Sequence, residues 1–323
     1  MVRRLFCVAL TGALLSGCSE RIPGELIYIR PPEDGAFNYP YYLFLPSTDP
    51  EGPVQNGRTY LVVEPNNSGF ASDDLEAHAE KAERQATREF YVGNYVALSL
   101  GDPLLVPVFP RPESDWKIYT HALDRDVMLE DEPPLERLDL QLLAMVNDAR
   151  ERLQERGITL HEKILMTGFS ASGTFVNRFS MIHPERIEAL AAGGVNGLLM
   201  LPLSELDGHP LDYPLGIHDF ETLFGKEFDS AAFRALPQFL YMGENDTNDA
   251  VPYEDGYDPE ERELVYETLG ESMIPVRWEN CIRIYRKKTN NAIFKTYPDT
   301  GHENPDPVKH DILEFFRGVT GSS

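Results

Sequence analysis

Ile164-Leu165-Met166-Thr167-Gly168-Phe169-Ser170-Ala171-Ser172-Gly173 is the most informative stretch of the chain. Its first four residues are a short apolar run of strand character, and the helical spacing over residues 171–182 stops at His183-Pro184. Between the two stands a serine among small residues. A chain passing from a buried strand straight into a helix must turn sharply, and only small side chains two positions away on either side leave that turn room. The helix beginning at the turn also aims its N-terminal amides at any charge that develops beside Ser170.

Strand and helix patterns alternate on both sides of this stretch. Upstream, residues 26–30 and 39–45 read as two short strands around Pro31-Pro32-Glu33-Asp34-Gly35, and residues 59–64 as a third that stops at Pro65-Asn66-Asn67-Ser68-Gly69. A helix follows, with Asp73 and Glu76 spaced as a capping box. Residues 103–109 form another apolar strand, and residues 135–156 carry helical spacing closed by Gly157. Downstream, strands are expected at residues 187–192, 238–242 and 292–297, with a last helix at 308–316. Such alternation implies an α/β fold, a mostly parallel central sheet with helices on both faces. Residues 195–235 and 247–291 interrupt it and read as loop-rich excursions over the site, the second with helical spacing near 260–269. No linker divides the chain, so residues 25–323 are expected to form a single domain.

The first residues read as an address. Arg3 and Arg4 precede an apolar stretch, residues 5–15, that falls short of the about 20 residues needed to span a bilayer. Residues 1–17 are therefore expected to be a signal peptide. Leu15-Ser16-Gly17-Cys18 resembles a bacterial lipoprotein lipobox, which implies cleavage before Cys18, acylation of its thiol and a short tether over residues 18–24. Each buried acyl methylene contributes about 0.8 kcal/mol, so several chains would hold the body at a membrane. Ser19 stands where an aspartate would resemble an inner-membrane retention signal, which favours the outer membrane if the source is Gram-negative.

Charge excludes one class of partner. The chain has 29 Lys and Arg against 53 Asp and Glu, a formal net charge of −24 at pH 7, and loss of Arg3 and Arg4 with the signal takes it to −26. So acidic a body repels nucleic acid. Of the three cysteines, the lipobox resemblance implies that Cys7 leaves with the signal and that Cys18 carries lipid. Cys281 then has no partner for an intrachain disulfide and reads as a small buried apolar residue. His161, His209 and His218 lack ligand spacing with any cysteine or carboxylate, so neither a metal nor another cofactor is expected.

Two further segments end strands in reactive residues. Leu240-Tyr241-Met242-Gly243-Glu244-Asn245-Asp246 runs off a strand into an acid, with Asp249 just beyond, before Val251-Pro252. Tyr297-Pro298-Asp299-Thr300-Gly301-His302 runs off another into a histidine. Both leave C-terminal strand ends, where ligands of open parallel sheets bind.

With serine, acid and histidine in that order, the chain resembles the α/β-hydrolase family over nearly its whole mature length. Within that family it resembles secreted esterases and polyester-depolymerase-like enzymes. The resemblance implies that Ser170 attacks an ester or amide carbonyl, His302 takes and returns the proton, and an aspartate holds the imidazole tautomer. Asp246, directly beyond the apolar run, is preferred for that acid over Asp249. It also implies an oxyanion hole built from the amide of Ala171 and a donor from the loop after the third strand. There Asn66-Asn67-Ser68 replaces the His-Gly pair common in the family, and Asn67 is the candidate. Ser172 is an alternative nucleophile that Gly168 fits less well. His121 could line the pocket or be an ordinary loop histidine, His310 falls in the last helix, and Tyr213, Phe220 and Phe224 could form an apolar pocket or simply pack. The expected function is cleavage of a small or polymeric carboxylic ester through an acyl-enzyme, by a protein lipid-anchored in the cell envelope. The alternatives are a peptidase of the same fold and a non-catalytic envelope binding protein.

Overall fold

The computed structural model describes residues 21–33, 35–47, 58–88 and 91–321. The expected signal peptide (residues 1–17), the lipidation candidate Cys18 and the start of the tether lie outside the described residues.

Eight strands form one sheet. In chain order they are β1 (Gly24–Ile29), β2 (Tyr41–Pro46), β3 (Val62–Val63), β4 (Leu104–Pro107), β5 (Ile164–Phe169), β6 (Ile187–Gly193), β7 (Gln238–Gly243) and β8 (Ala292–Tyr297). Across the sheet they stand as β1-β2-β4-β3-β5-β6-β7-β8. β2 runs antiparallel to both β1 and β4, and every later pairing is parallel. The inner strands β3, β4, β5 and β7 are largely apolar without alternation because both faces are covered, whereas the edge strands β1 and β8 are partly exposed. Successive side chains enter opposite cores, Ile164 and Met166 on one side and Leu165 on the other.

The helices that cover it are α1 (Leu75–Thr87), α2 (Val92–Leu100), α3 (Leu138–Glu155), α4 (Ala171–Ile182), α5 (Pro259–Thr268), α6 (Trp278–Tyr285) and α7 (Asp306–Thr320). One face is packed by α1, α2 and α7 through Ala82, Val96 and Ile312, the other by α3, α4 and α6 through Leu142, Phe175 and Tyr285. Two local readings change. The N-cap of α1 is Asp74, which accepts the Glu76 N–H at 3.0 Å, while Asp73 accepts from the main chain of Glu113 and Ser114. α2 is not evident from the sequence: its run Val-Gly-Asn-Tyr-Val-Ala-Leu-Ser-Leu has no cap side chain and its polar Asn94 is buried, so periodicity does not mark it.

The first excursion, residues 195–235, packs its aromatic residues together. Tyr213 and Phe224 lie 5.3 Å apart and Phe220 and Phe224 4.7 Å apart between ring centroids, and all three are buried. The second contains α5, opened by a capping box of Asp258 and Glu261, and α6, which buries Cys281. Burial pushes the Cys281 thiol up to about 12, leaving it unreactive. Among the described residues no helix is long and apolar enough to cross a membrane.

Candidate active site

β5 runs directly into the turn at Ser170. This residue has φ 63° and ψ −131°, a backbone state that costs a non-glycine residue about 1–3 kcal/mol unless its surroundings impose it. Hydrogen bonds on both sides do so: Ser170 N–H donates to Gly193 O at 3.0 Å, and Ser170 O accepts from Thr174 N–H at 3.0 Å. Glycines supply the room. A Cβ on Gly168 would stand 2.4 Å from the Ser172 carbonyl oxygen, and one on Gly173 would stand 2.4 Å from that of Gly193. The Ser172 hydroxyl is committed to the turn, donating to Phe169 O at 2.8 Å and accepting from Phe169 N–H at 3.0 Å.

Loops leaving β7 and β8 bring an acid and a histidine to the same end of the sheet. Asp246 is buried, and its Oδ2 accepts from His302 Nδ1 at 2.9 Å while Oδ1 accepts the Asn248 main-chain N–H at 2.9 Å. The two loops are tied by Asn245 N–H to Thr300 O at 2.9 Å. The imidazole of His302 lies 4.6 Å from the ring of Phe169, which seats it beside Ser170. Asp249 is engaged elsewhere: the fully buried Arg277 donates to both its oxygens, and Oδ1 also accepts from Val251 N–H. Such an Asp–His pair holds the imidazole proton on Nδ1 and leaves Nε2 as the basic nitrogen.

Two asparagines complete the cluster. Asn248 Nδ2 lies 3.0 Å from His302 Nε2 and 3.4 Å from Ser170 Oγ, and Ser170 Oγ lies 3.4 Å from Asn196 Oδ1. Neither is marked by the sequence, where an asparagine in a loop reads as a turn former.

Ala171 is buried as the first residue of α4, so its N–H has no carbonyl one turn back to receive it. The main-chain N–H of Asn67 is taken by Gln85 Oε1 at 3.1 Å, but its side-chain amide borders the turn, 3.5 Å from Phe169 O. The Asn67 loop is pinned from below. Asn66 exchanges side-chain hydrogen bonds with the Phe109 main chain at 2.8 and 3.0 Å, and Ser68 Oγ lies 2.6 Å from His78 Nδ1. His121 belongs to this buried support, with Nε2 2.9 Å from Phe109 O and 3.1 Å from Asn66 Nδ2. Burial pushes its imidazole down to about 3, so it stays neutral, and it is absent from the cavity lining.

That cavity, of about 280 Å³, is lined by Ser170, His302, Asn67, Glu64, Lys81 and Glu303 among others. Burial pushes the Glu64 carboxyl up to about 8, against the opposing pull of the Gly93 N–H at 3.0 Å and of Gln85. A larger groove of about 800 Å³ between α2 and α7 contains neither Ser170 nor His302. His310, on α7, lines that groove. Among the described residues no group of three or more His, Cys, Asp and Glu side chains is placed to hold a metal ion.

No protein-family model and no curated sequence matches the chain. Similarity appears at the level of structure. LpqC, a poly(3-hydroxybutyrate) depolymerase from Bordetella parapertussis, matches with a TM-score of 0.54 and 18% identity, over 91% of this chain and 89% of that one. A thermostable esterase matches with a TM-score of 0.50 and 16% identity, over 92% of this chain and 62% of that one. Taken with the sheet order and the turn at Ser170, these likenesses identify the chain as having the α/β-hydrolase fold.

Proposed function

We propose that the protein is a serine hydrolase that cleaves carboxylic esters through an acyl-enzyme. The observation that carries this reading is the Asp246–His302 hydrogen bond of 2.9 Å, at a cavity also lined by Ser170 on its strained turn. In the reaction Ser170 Oγ attacks the ester carbonyl as its proton passes to His302 Nε2. Asp246 stabilises the imidazolium that results. The carbonyl oxygen, now an anion, is met by the Ala171 N–H and the Asn67 side-chain amide. His302 then returns the proton to the leaving alkoxide, and a water repeats the sequence in reverse to release the acid. The two similar structures described above carry the names of ester-cleaving proteins, which supports the ester reading. The lipobox-like Leu15-Ser16-Gly17-Cys18 supports a site of action at the cell envelope, outer membrane if the source is Gram-negative.

A fluorophosphonate probe followed by peptide mapping tests the reading, together with a panel of ester and amide substrates. Adduct on Ser170 with ester turnover is the expected result. Absence of adduct and of turnover would make the protein a non-catalytic binder on a hydrolase fold, and amide turnover alone would make it a peptidase.

A further inference from the structure

His302 Nε2, the nitrogen that must take the serine proton, faces the Asn248 side chain at 3.0 Å. The orientation of that amide follows from its neighbours. Nδ2 of Asn248 lies 3.0 Å from His302 Nε2, 3.4 Å from Ser170 Oγ and 3.4 Å from Asn196 Oδ1. With Asn196 Oδ1 facing Ser170 Oγ at 3.4 Å, the reverse orientation would set the Asn248 oxygen against it, acceptor against acceptor. With Nδ2 inward, Asn248 donates to the lone pair of His302 Nε2, and the imidazole proton is left on Nδ1, facing Asp246.

We infer that Asn248 is a positioning residue that caps the base. Without substrate it holds His302 in the tautomer a general base needs, occupying the lone pair that Ser170 would otherwise use. A substrate entering between Ser170 and His302 displaces the cap, and the serine hydroxyl then turns onto Nε2. This inference rests on the serine hydrolase reading above.

Three features suit a side chain that must move. Asn248 is exposed, so no core packing holds it. Its main-chain N–H is anchored on Asp246 Oδ1 at 2.9 Å, so the backbone keeps its place while the side chain rotates. Asn196, by contrast, is buried and its main chain is held, the main-chain N–H donating to Thr174 Oγ1 at 3.0 Å and the main-chain carbonyl lying 3.4 Å from the Tyr257 hydroxyl. It offers Ser170 Oγ a resting acceptor at 3.4 Å, long against the about 2.7–2.8 Å of a good O–H···O bond and therefore easily left.

The test compares wild type with Asn248→Ala, a change at an exposed position that keeps the main-chain bond to Asp246. Phosphonylation of Ser170 by a fluorophosphonate and steady-state ester hydrolysis are both measured. Losing the cap should speed phosphonylation about fivefold, the worth of one ordinary neutral hydrogen bond. The gain in hydrolysis should appear as a lower KM, because the cap is present in the free protein and absent from the complex. If wild type is labelled and the variant reacts at the same rate or more slowly, or if the variant loses kcat tenfold or more, the cap is overturned and the hydrolase reading stands. If neither protein is labelled and neither turns over an ester, the hydrolase reading fails and the cap with it.

Discussion

Asp246 and Asp249 stand three residues apart on one loop, yet only Asp246 hydrogen-bonds His302, because Arg277 occupies both oxygens of Asp249. Their isosteric amides should therefore fail differently. Asp246→Asn should lower kcat by up to about ten-thousandfold while leaving the fold intact, since an amide there would hold the wrong imidazole tautomer. Asp249→Asn leaves the buried Arg277 half-paired and should cost about 3 kcal/mol of stability. It should keep most activity below its lowered Tm. Thermal melts and ester kinetics on the two variants check this, and the reverse pattern would transfer the role to Asp249.

Ser170 and Ser172 separate in the same way. Ser170→Ala should cost about a millionfold in turnover, as expected where a complete triad acts as a unit. Ser172→Ala removes two hydrogen bonds inside the turn, so it should lower stability by about 1–2 kcal/mol and turnover far less. Peptide mapping of the labelled protein checks the assignment, and adduct on Ser172 alone would reverse it.

Glu64 gives the protein a pH dependence of definite sign. Its carboxyl is pushed by burial from an ordinary value of 4.5 to about 8, so the folded state holds its proton where the unfolded chain releases it. The stability that goes with the neutral form is complete below pH 4.5 and is lost as pH rises through about 8. Glu64→Gln keeps an oxygen for the Gly93 N–H and should remove this loss, making the variant the more stable protein above pH 8. Melting temperatures across pH 4 to 9 check it. A parallel decline in the two proteins would show that Glu64 does not titrate in this way.

Cys18→Ala should move the protein from the membrane to the soluble fraction, if the lipobox-like segment directs acylation. Fractionation with a high-salt wash checks it. A variant that still sediments with membranes would rule out Cys18 as the anchor.

Most of the sheet, the elbow and the candidate partners were legible in the sequence, because these are written in local chemistry, although of the strand expected over residues 59–64 only Val62–Val63 joins the sheet. A strand buried on both faces leaves a short apolar run, as residues 164–167 and 238–242 do, and residues 187–192 and 292–297 also fall within observed strands although Glu188 and Lys295 interrupt them. A sharp turn demands small neighbours, so Gly168 and Gly173 were legible around Ser170. The parallel run of β5 to β8 brings Ser170, Asp246 and His302 to one end, since all three leave the C-terminal ends of strands that lie within three places of one another in the sheet.

Contacts between segments distant in sequence emerge only in the folded chain. Arg277 reaches Asp249 across 28 residues, and nothing near Asp249 announces a buried guanidinium. Asn248 meets Ser170 across 78 residues and Asn196 across 52. His121, a possible pocket residue by sequence, is drawn under the Asn66 loop by a hydrogen bond to Phe109. Local propensity describes how a segment folds on its own terms, whereas hydrogen-bond partners are chosen by whichever polar groups the packed core leaves facing each other. Such pairings acquire their geometry only when the sheet has closed.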